Sequence, residues 1–279
     1  MLKVLKSGFF TTIQDDGRFG YRDKGVPVSG AMDAISFQKV NDMLSNNIHD
    51  AALEITMTGP TLEFEKDTHI SLSGAELSAT LNNTPIANNE VHKIKKGDVL
   101  SYGKLEKGLR AYLGIKGGFI AENKLGSSSL YTPITRSKCL KKDTEVLYDA
   151  NTKFTPKQQE LSSDAVFNET VITVYKGPEF GLLDNIHFEK LFFYDFSIAK
   201  ENDRMAYQLE ELIAGHSDSM LTSATLPGTV QLTPSGKLII LMKDGQTTGG
   251  YPRILQLSEK SICVLAQKKF GDKITFKLV

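Results

Sequence analysis

Gly59–Phe64 (GPTLEF) has a counterpart 169 residues downstream, Gly228–Thr233 (GTVQLT). In both, a glycine opens a short run rich in strand-forming residues. A fixed offset between similar segments implies duplicated architecture. Outward from this pair, Val4 in VLKSGFF matches Val174 in VYKGPEF, 170 apart, and Ile70 in HISLS matches Ile239 in LIILM, 169 apart. Pro85 and Pro252 are 167 apart, and Gly97 in KKGDVLSY matches Gly271 in KFGDKITF, 174 apart. The colinear series divides the chain into a first β unit with connecting strands (1–148), a polar linker (149–170, DANTKFTPKQQELSSDAVFNET) and a second β unit (171–279).

Strand signals dominate both copies. Ala51 to Thr56, Thr61 to Glu65, Ile70 to Ser73, Glu76 to Leu81, Val99 to Tyr102 and Leu109 to Ile115 read as strands, as do Val171 to Tyr175, Thr229 to Thr233, Lys237 to Met242 and Ile274 to Leu278. Asn82-Asn83, Gly117-Gly118 and Pro234-Ser235-Gly236 supply turns. Short strands at this spacing predict a mainly β chain with a sandwich or barrel in each copy. One helix interrupts each set: Asp33 caps a helix with Phe37, Val40 and Leu44 on one face and Met32 and Phe37 as a hydrophobic staple. A shift of 170 pairs Asp33 with Asp203 and Phe37 with Tyr207, which predicts a second helix after Asp203.

The chain carries 33 Lys plus Arg against 33 Asp plus Glu, so nothing in its net charge favours nucleic acid, an anionic membrane or an acidic partner. Cys139 and Cys263 form no CxxC pair and suit a reducing cytosol. No signal peptide or membrane span is evident, and a cytoplasmic location is expected. The five histidines show no metal-ligand spacing, and no structural metal is expected. There is no GxxxxGK[ST] phosphate loop, no GxGxxG opening a helix and no GxSxG nucleophile elbow.

Function is sought where the copies differ, because a duplicated scaffold keeps its core in both. Lys243 to Pro252 (KDGQTTGGYP) follows the apolar run Leu238 to Met242 and has only Gly74-Ala75-Glu76 as its counterpart. Asp244-Gly245 signals a turn, and Gly249-Gly250 allow a backbone path closed to residues with a Cβ. The second copy-specific stretch is Gln14 to Ser29 (QDDGRFGYRDKGVPVS). Arg18 and Arg22 offer planar forks for a carboxylate or phosphate, and Lys243 a point charge. Asp15, Asp16 and Asp203 suit a general base or a hydrated magnesium ion, while Gln14 and Gln246 can pair with an amide edge. A solvated turn would equally account for Asp15 to Arg18, and Arg204 could simply answer the charge of Asp203. The two stretches are expected to face a common cleft.

TIQDDGRFGYRDKGVPVSGAMD (11–33), ALEITMTGPTLEF (52–64), LRAYLGIKGGF (109–119), LGSSS (125–129), NDRMAYQLE (202–210) and LMKDGQTTGGYP (241–252) together resemble the biotin-dependent carboxyltransferase (allophanate hydrolase subunit 2) family, which includes the C subunit of 5-oxoprolinase. The resemblance implies tandem cyclophilin-like β-barrel units with a few short helices. It also implies partners: a subunit 1 homologue (the B subunit of 5-oxoprolinase) and a homologue of the LamB/YcsF-type A subunit, opening 5-oxoproline to glutamate with ATP and Mg2+. Alternatives within the family are a urea-type carboxyltransferase fed by biotin on a separate carrier, and a non-catalytic regulator of a subunit 1-like kinase inhibitor. On the first reading Asp15, Arg18, Asp203 and Arg204 are the catalytic candidates, with Arg18 or Arg204 holding the substrate carboxylate. Gln14, Tyr21, Lys243, Gln246, Thr247, Thr248, Gly249, Gly250 and Tyr251 are the substrate-binding candidates. After LGSSS this chain has TPITRSKCLKKDTEVL, which keeps Arg136 and lacks the family's glycines.

Overall fold

A computed structural model describes residues 1–151, 153–156, 165–218 and 220–279. They form two units: Met1–Arg18 with Ser29–Asp164, and Phe19–Val28 with Ala165–Val279. A ten-residue piece of the first copy-specific stretch, Phe19–Val28, therefore belongs with the second unit rather than with the residues around it in sequence.

The first unit has a six-stranded sheet, in the order Glu145–Val146, Leu2–Lys6, Thr61–Phe64, Val99–Ser101, Thr80–Leu81, Thr84–Pro85, and a five-stranded one, in the order Phe10–Gln14, Ala52–Thr56, Lys107–Ile115, Thr68–Glu76, Val91–Ile94. Alternation sends Leu2, Val4, Leu62 and Phe64 from one sheet and Ile13, Leu53, Ile55, Leu72 and Leu113 from the other into one core. Each such side chain contributes about 1.5–3 kcal/mol by leaving water. On the other face of the five-stranded sheet Ala52 and Tyr112 meet Phe37, Val40 and Met43 of the helix Ala34–Met43. Asp33 caps that helix as expected, accepting from the N–H groups of Ile35 and Ser36. Asn82 and Asn83, both at positive φ (50° and 65°), turn the hairpin between Thr80–Leu81 and Thr84–Pro85. The continuous strand expected from Glu76 to Leu81 is interrupted at Ser78, whose φ is +45°.

The second unit is a closed barrel in the order Val171–Lys176, Arg253–Leu257, Thr229–Leu232, Leu238–Leu241, Ala206–Leu209, Phe196–Asn202, Lys273–Leu278. Closure removes exposed strand edges, and Val174, Ile198, Tyr207, Val230, Ile240, Leu255 and Phe276 are buried in it. The helix Glu259–Ala266, capped by Ser258, buries Ile262, Val264 and Leu265. No helix of the described residues is long and apolar enough to cross a membrane.

The helix expected after Asp203 is a strand, Ala206–Leu209. Asp203 Oδ1 accepts from the N–H groups of Met205 and Ala206, two and three residues on, the same local motif that Asp33 makes. An aspartate two residues before a turn bonds this way whether a helix or a strand follows. Pairing of Ala206–Leu209 with Leu238–Leu241 and Phe196–Asn202, which buries Tyr207 and Leu209, decides for the strand. A helix of the second unit lies earlier, at Asn185–Phe193, where Asp184 and His187 form a capping box.

Three of the sequence correspondences put strand on strand, those of Val4 with Val174, Gly59–Phe64 with Gly228–Thr233 and Ile70 with Ile239, and Gly97 and Gly271 are both left-handed, at φ 90° and 83°; Pro85 lies in a strand and Pro252 outside one. Neighbours differ, however. Thr61–Phe64 lies between Leu2–Lys6 and Val99–Ser101, whereas Thr229–Leu232 lies between Leu238–Leu241 and Arg253–Leu257. Within the expected linker, Phe154 packs edge-on against His69 and Ala165–Asn168 is helical; 157–164 lie outside the described residues.

Candidate functional site

In the first unit, Asp15 is a clamp. Its Oδ1 accepts from Gly17 N–H (2.9 Å) and from the hydroxyls of Ser127 and Ser129 (2.6 Å each), and its Oδ2 accepts from Ser128 N–H (2.6 Å). With 5% of its surface exposed, the carboxylate binds the copy-specific stretch to Ser127, Ser128 and Ser129. Arg18, also buried, donates to the carbonyls of Lys124 (3.2 Å) and Ser129. Gln14 is fully buried; its amide donates to Thr12 Oγ1 at 3.0 Å, while its Oε1 meets no hydrogen-bond partner. Asp16 faces His49 Nδ1 at 2.9 Å. Asp15 and Arg18 are thus bonded within the fold, the carboxylate by four donors and the guanidinium to two backbone carbonyls.

In the second unit, the stretch Lys243 to Pro252 is built around Thr225. Thr225 N–H donates to Thr247 O at 3.0 Å, and its hydroxyl donates to Gln246 O. The adjoining Ser223–Ala224 pairs antiparallel with Thr248–Gly249. Phe19–Val28 reaches the same place: Arg22 Nη2 donates to Thr225 O. Arg22 opens a single 3-10 turn, Arg22–Lys24, which Gly25 ends in the left-handed conformation, and Lys24 Nζ lies 5.3 Å from the centre of the Tyr21 ring. Thr225 therefore ties the copy-specific residues Arg22, Gln246 and Thr247 together. Gln246, Thr248, Gly250 and Tyr251 remain exposed around that junction.

The start and end of the stretch are fixed by ion pairs. Arg204 holds Asp244 through two bonds, Nε to Oδ2 at 2.8 Å and Nη2 to Oδ1 at 3.2 Å, and Arg204 O accepts from Asp244 N–H at 2.8 Å. Arg204 thus answers Asp244 rather than the exposed Asp203. Beyond Pro252, Arg253 grips Glu179 in the same way (2.9 and 2.7 Å) and donates to Ala224 O. Glu179's carboxyl is held below its ordinary pKa chiefly by the Arg253 hydrogen bond. Lys243 Nζ stands 3.8 Å from Glu259, a looser pair.

Of the paired glycines of the stretch, Gly249 meets the expectation of a path closed to a Cβ and Gly250 does not. Neither is at positive φ. Gly249 is required by close approach, since a Cβ there would lie 2.2 Å from Gln231 Nε2; Gly250 faces open space. Asp244-Gly245 does form the expected turn, with Gly245 N–H donating to Met242 O at 2.9 Å.

The candidate magnesium carboxylates are each committed, Asp15 to its four donors, Asp16 to His49 and Asp203 to its turn. Among the described residues no group of three or more His, Cys, Asp or Glu side chains could hold a metal ion. Sequence reasoning passed over Thr225, Gln231, Glu179 and Arg253. Only Arg253 carried a signal, lying directly after Pro252 at the end of the copy-specific stretch.

Residues 24–278 match the family described as carboxyltransferase domain, subdomain A and B. The chain is 31% identical over 281 residues to the C subunit of 5-oxoprolinase from Escherichia coli (strain K12), covering 99% of this chain and 90% of that protein. It is 42% identical over 132 residues to urea amidolyase of Saccharomyces cerevisiae, covering 47% of this chain and 7% of that protein. The crystal structure of Kluyveromyces lactis urea carboxylase is similar over 99% of this chain, with a TM-score of 0.82 and 29% identity. This chain spans 27% of that solved chain.

Proposed function

The chain belongs to the carboxyltransferase domain family, subdomain A and B, and from that premise we propose that it is the C-type subunit of an ATP-dependent 5-oxoprolinase complex. The observation that carries this reading is the near end-to-end match to a protein named as the C subunit of 5-oxoprolinase, against a match to urea amidolyase over less than half of this chain. The complex opens 5-oxoproline to glutamate with two waters: as the lactam C–N bond breaks, one water's worth of oxygen and protons completes the new carboxyl and the amine, and the second is consumed as ATP becomes ADP and phosphate. Homologues of the B subunit and of the LamB/YcsF-type A subunit complete it, and the complex uses ATP and Mg2+.

This chain supplies the exposed polar groups at the Thr225 junction. The side-chain amide of Gln246 and the hydroxyls of Thr247 and Thr248 suit the donor and acceptor edge of a lactam. The ion pairs Arg204–Asp244 and Arg253–Glu179 and the Thr225 bonds hold that surface in place, so positioning is prepaid before the substrate arrives. The test is reconstitution: the three proteins together release glutamate from 5-oxoproline in an ATP-dependent manner, and omission of this chain abolishes release. Full activity of the A-type and B-type homologues without it would refute the assignment.

A second reading is favoured by the likeness to Kluyveromyces lactis urea carboxylase. A carboxyltransferase would use Gln246 and nearby N–H groups on the ureido edge of biotin carried by another protein. Inhibition of the native complex by avidin would support it, and indifference to avidin would count against it.

A further inference from the structure

Most of the arginines are engaged by carboxylates or carbonyls of the chain itself. Arg204 and Arg253 each chelate a carboxylate, Arg110 stands 3.8 Å from Glu54, and Arg18 donates to two backbone carbonyls. Arg22 is different. Its Nη2 donates to Thr225 O, its Nη1 is buried with no hydrogen-bond partner, and it faces no carboxylate among the described residues. Burial without a counter-charge pushes its pKa down from the ordinary arginine value. A partly desolvated guanidinium with an unmet donor is costly to maintain, and half-buried Arg22 combines that unmet donor with the lack of a facing carboxylate beside a polar, exposed rim.

Resting on the substrate reading above, we propose that Arg22 is the specificity-determining residue that receives the substrate's carboxylate. Thr225 sets its position. The carbonyl of Thr225 takes one arm of the fork, while the N–H and hydroxyl of the same residue anchor the backbone of Gln246 and Thr247. One residue thereby couples an anion receptor to the stretch suited to the lactam edge. The ligand class is a small molecule with a carboxylate next to a cyclic amide. This assigns the carboxylate to Arg22 in place of Arg18, which donates to two backbone carbonyls, or Arg204, which holds Asp244.

The test uses the complex of this chain with its A-type and B-type partner homologues. 5-Oxoproline and 2-pyrrolidinone, the same ring without the carboxylate, are titrated calorimetrically against the wild type, Arg22→Gln and Arg22→Lys. Glutamine can still donate to Thr225 O but is neutral; lysine keeps charge without the fork. The expected result is that Arg22→Gln weakens 5-oxoproline binding on the order of 10- to 100-fold. Binding of 2-pyrrolidinone stays unchanged and Arg22→Lys falls between. Should Arg22→Gln fail to fold, Arg22→Lys carries the same comparison. Equal loss for both ligands, no loss for 5-oxoproline, or a wild type that binds neither ligand would overturn the proposal. A wild type that discriminates the ligands through Arg22 but releases no glutamate would leave the receptor standing and remove the 5-oxoprolinase reading. Full turnover by Arg22→Gln would do the reverse.

Discussion

Asp15→Ala tests whether the most acidic part of the first copy-specific stretch builds the fold or performs chemistry. The carboxylate meets two backbone N–H groups, of Gly17 and Ser128, and two hydroxyls, of Ser127 and Ser129. The hydroxyls can rotate to other acceptors, but the two N–H groups cannot. At about 1–3 kcal/mol for each stranded buried donor, the loss is about 4 kcal/mol. For a unit of this size that lowers the thermal midpoint by about 8–16 °C. Differential scanning calorimetry of wild type, Asp15→Ala and Asp15→Asn supplies the measurement, with turnover by the reconstituted complex assayed below each midpoint. Both variants should lose stability, the asparagine less than the alanine, and should turn over substrate once the temperature is low enough for them to be folded. A folded Asp15→Asn with a wild-type midpoint and no turnover would refute the clamp and restore a catalytic role.

Gly249→Ala should cost about 1–3 kcal/mol and weaken substrate binding, because its Cβ would meet Gln231 Nε2 at 2.2 Å, whereas Gly250→Ala should stay within about 0.5 kcal/mol; urea unfolding separates the two. Arg204→Ala strands Asp244, whose side chain is 13% exposed, and should destabilise the second unit by about 3 kcal/mol, read from the same curves. Glu179, held by Arg253 below its ordinary pKa of 4.5, contributes stability that is present above about that pH and lost as pH falls through the lower folded value. Glu179→Gln should therefore flatten the acid limb of a stability-versus-pH profile and leave the pH dependence above about 6 unchanged.

Alternation along single strands was legible in the sequence because period-2 patterning is local: Ile13, Leu53, Ile55 and Leu113 point to one core as their spacing requires. Turns were legible for the same reason, as at Asn82-Asn83. Strand neighbours were not, since Thr61–Phe64 and Thr229–Leu232 look alike yet pair with differently placed strands. Asp33 and Asp203 show how far a local motif reaches. Each accepts from the N–H groups two and three residues on, and only the partners available to Tyr207 and Leu209 make the second continuation a strand. At the candidate site, the residue types and both copy-specific stretches could be read, but not which arginine is spoken for. Arg18, Arg22 and Arg204 are equivalent in a sequence; carbonyls 124 and 129 and the carboxylate of Asp244 engage two of them.

The surface joining Phe19–Val28 to Lys243–Pro252 through Thr225 is claimed as the place where substrate binds. Hydrogen exchange by mass spectrometry on the reconstituted complex, with and without 5-oxoproline, tests this directly. Slowed exchange in 19–28 and 223–251, absent with 2-pyrrolidinone at the same concentration, is the predicted result. Unchanged exchange in both segments while the complex converts 5-oxoproline to glutamate would contradict it.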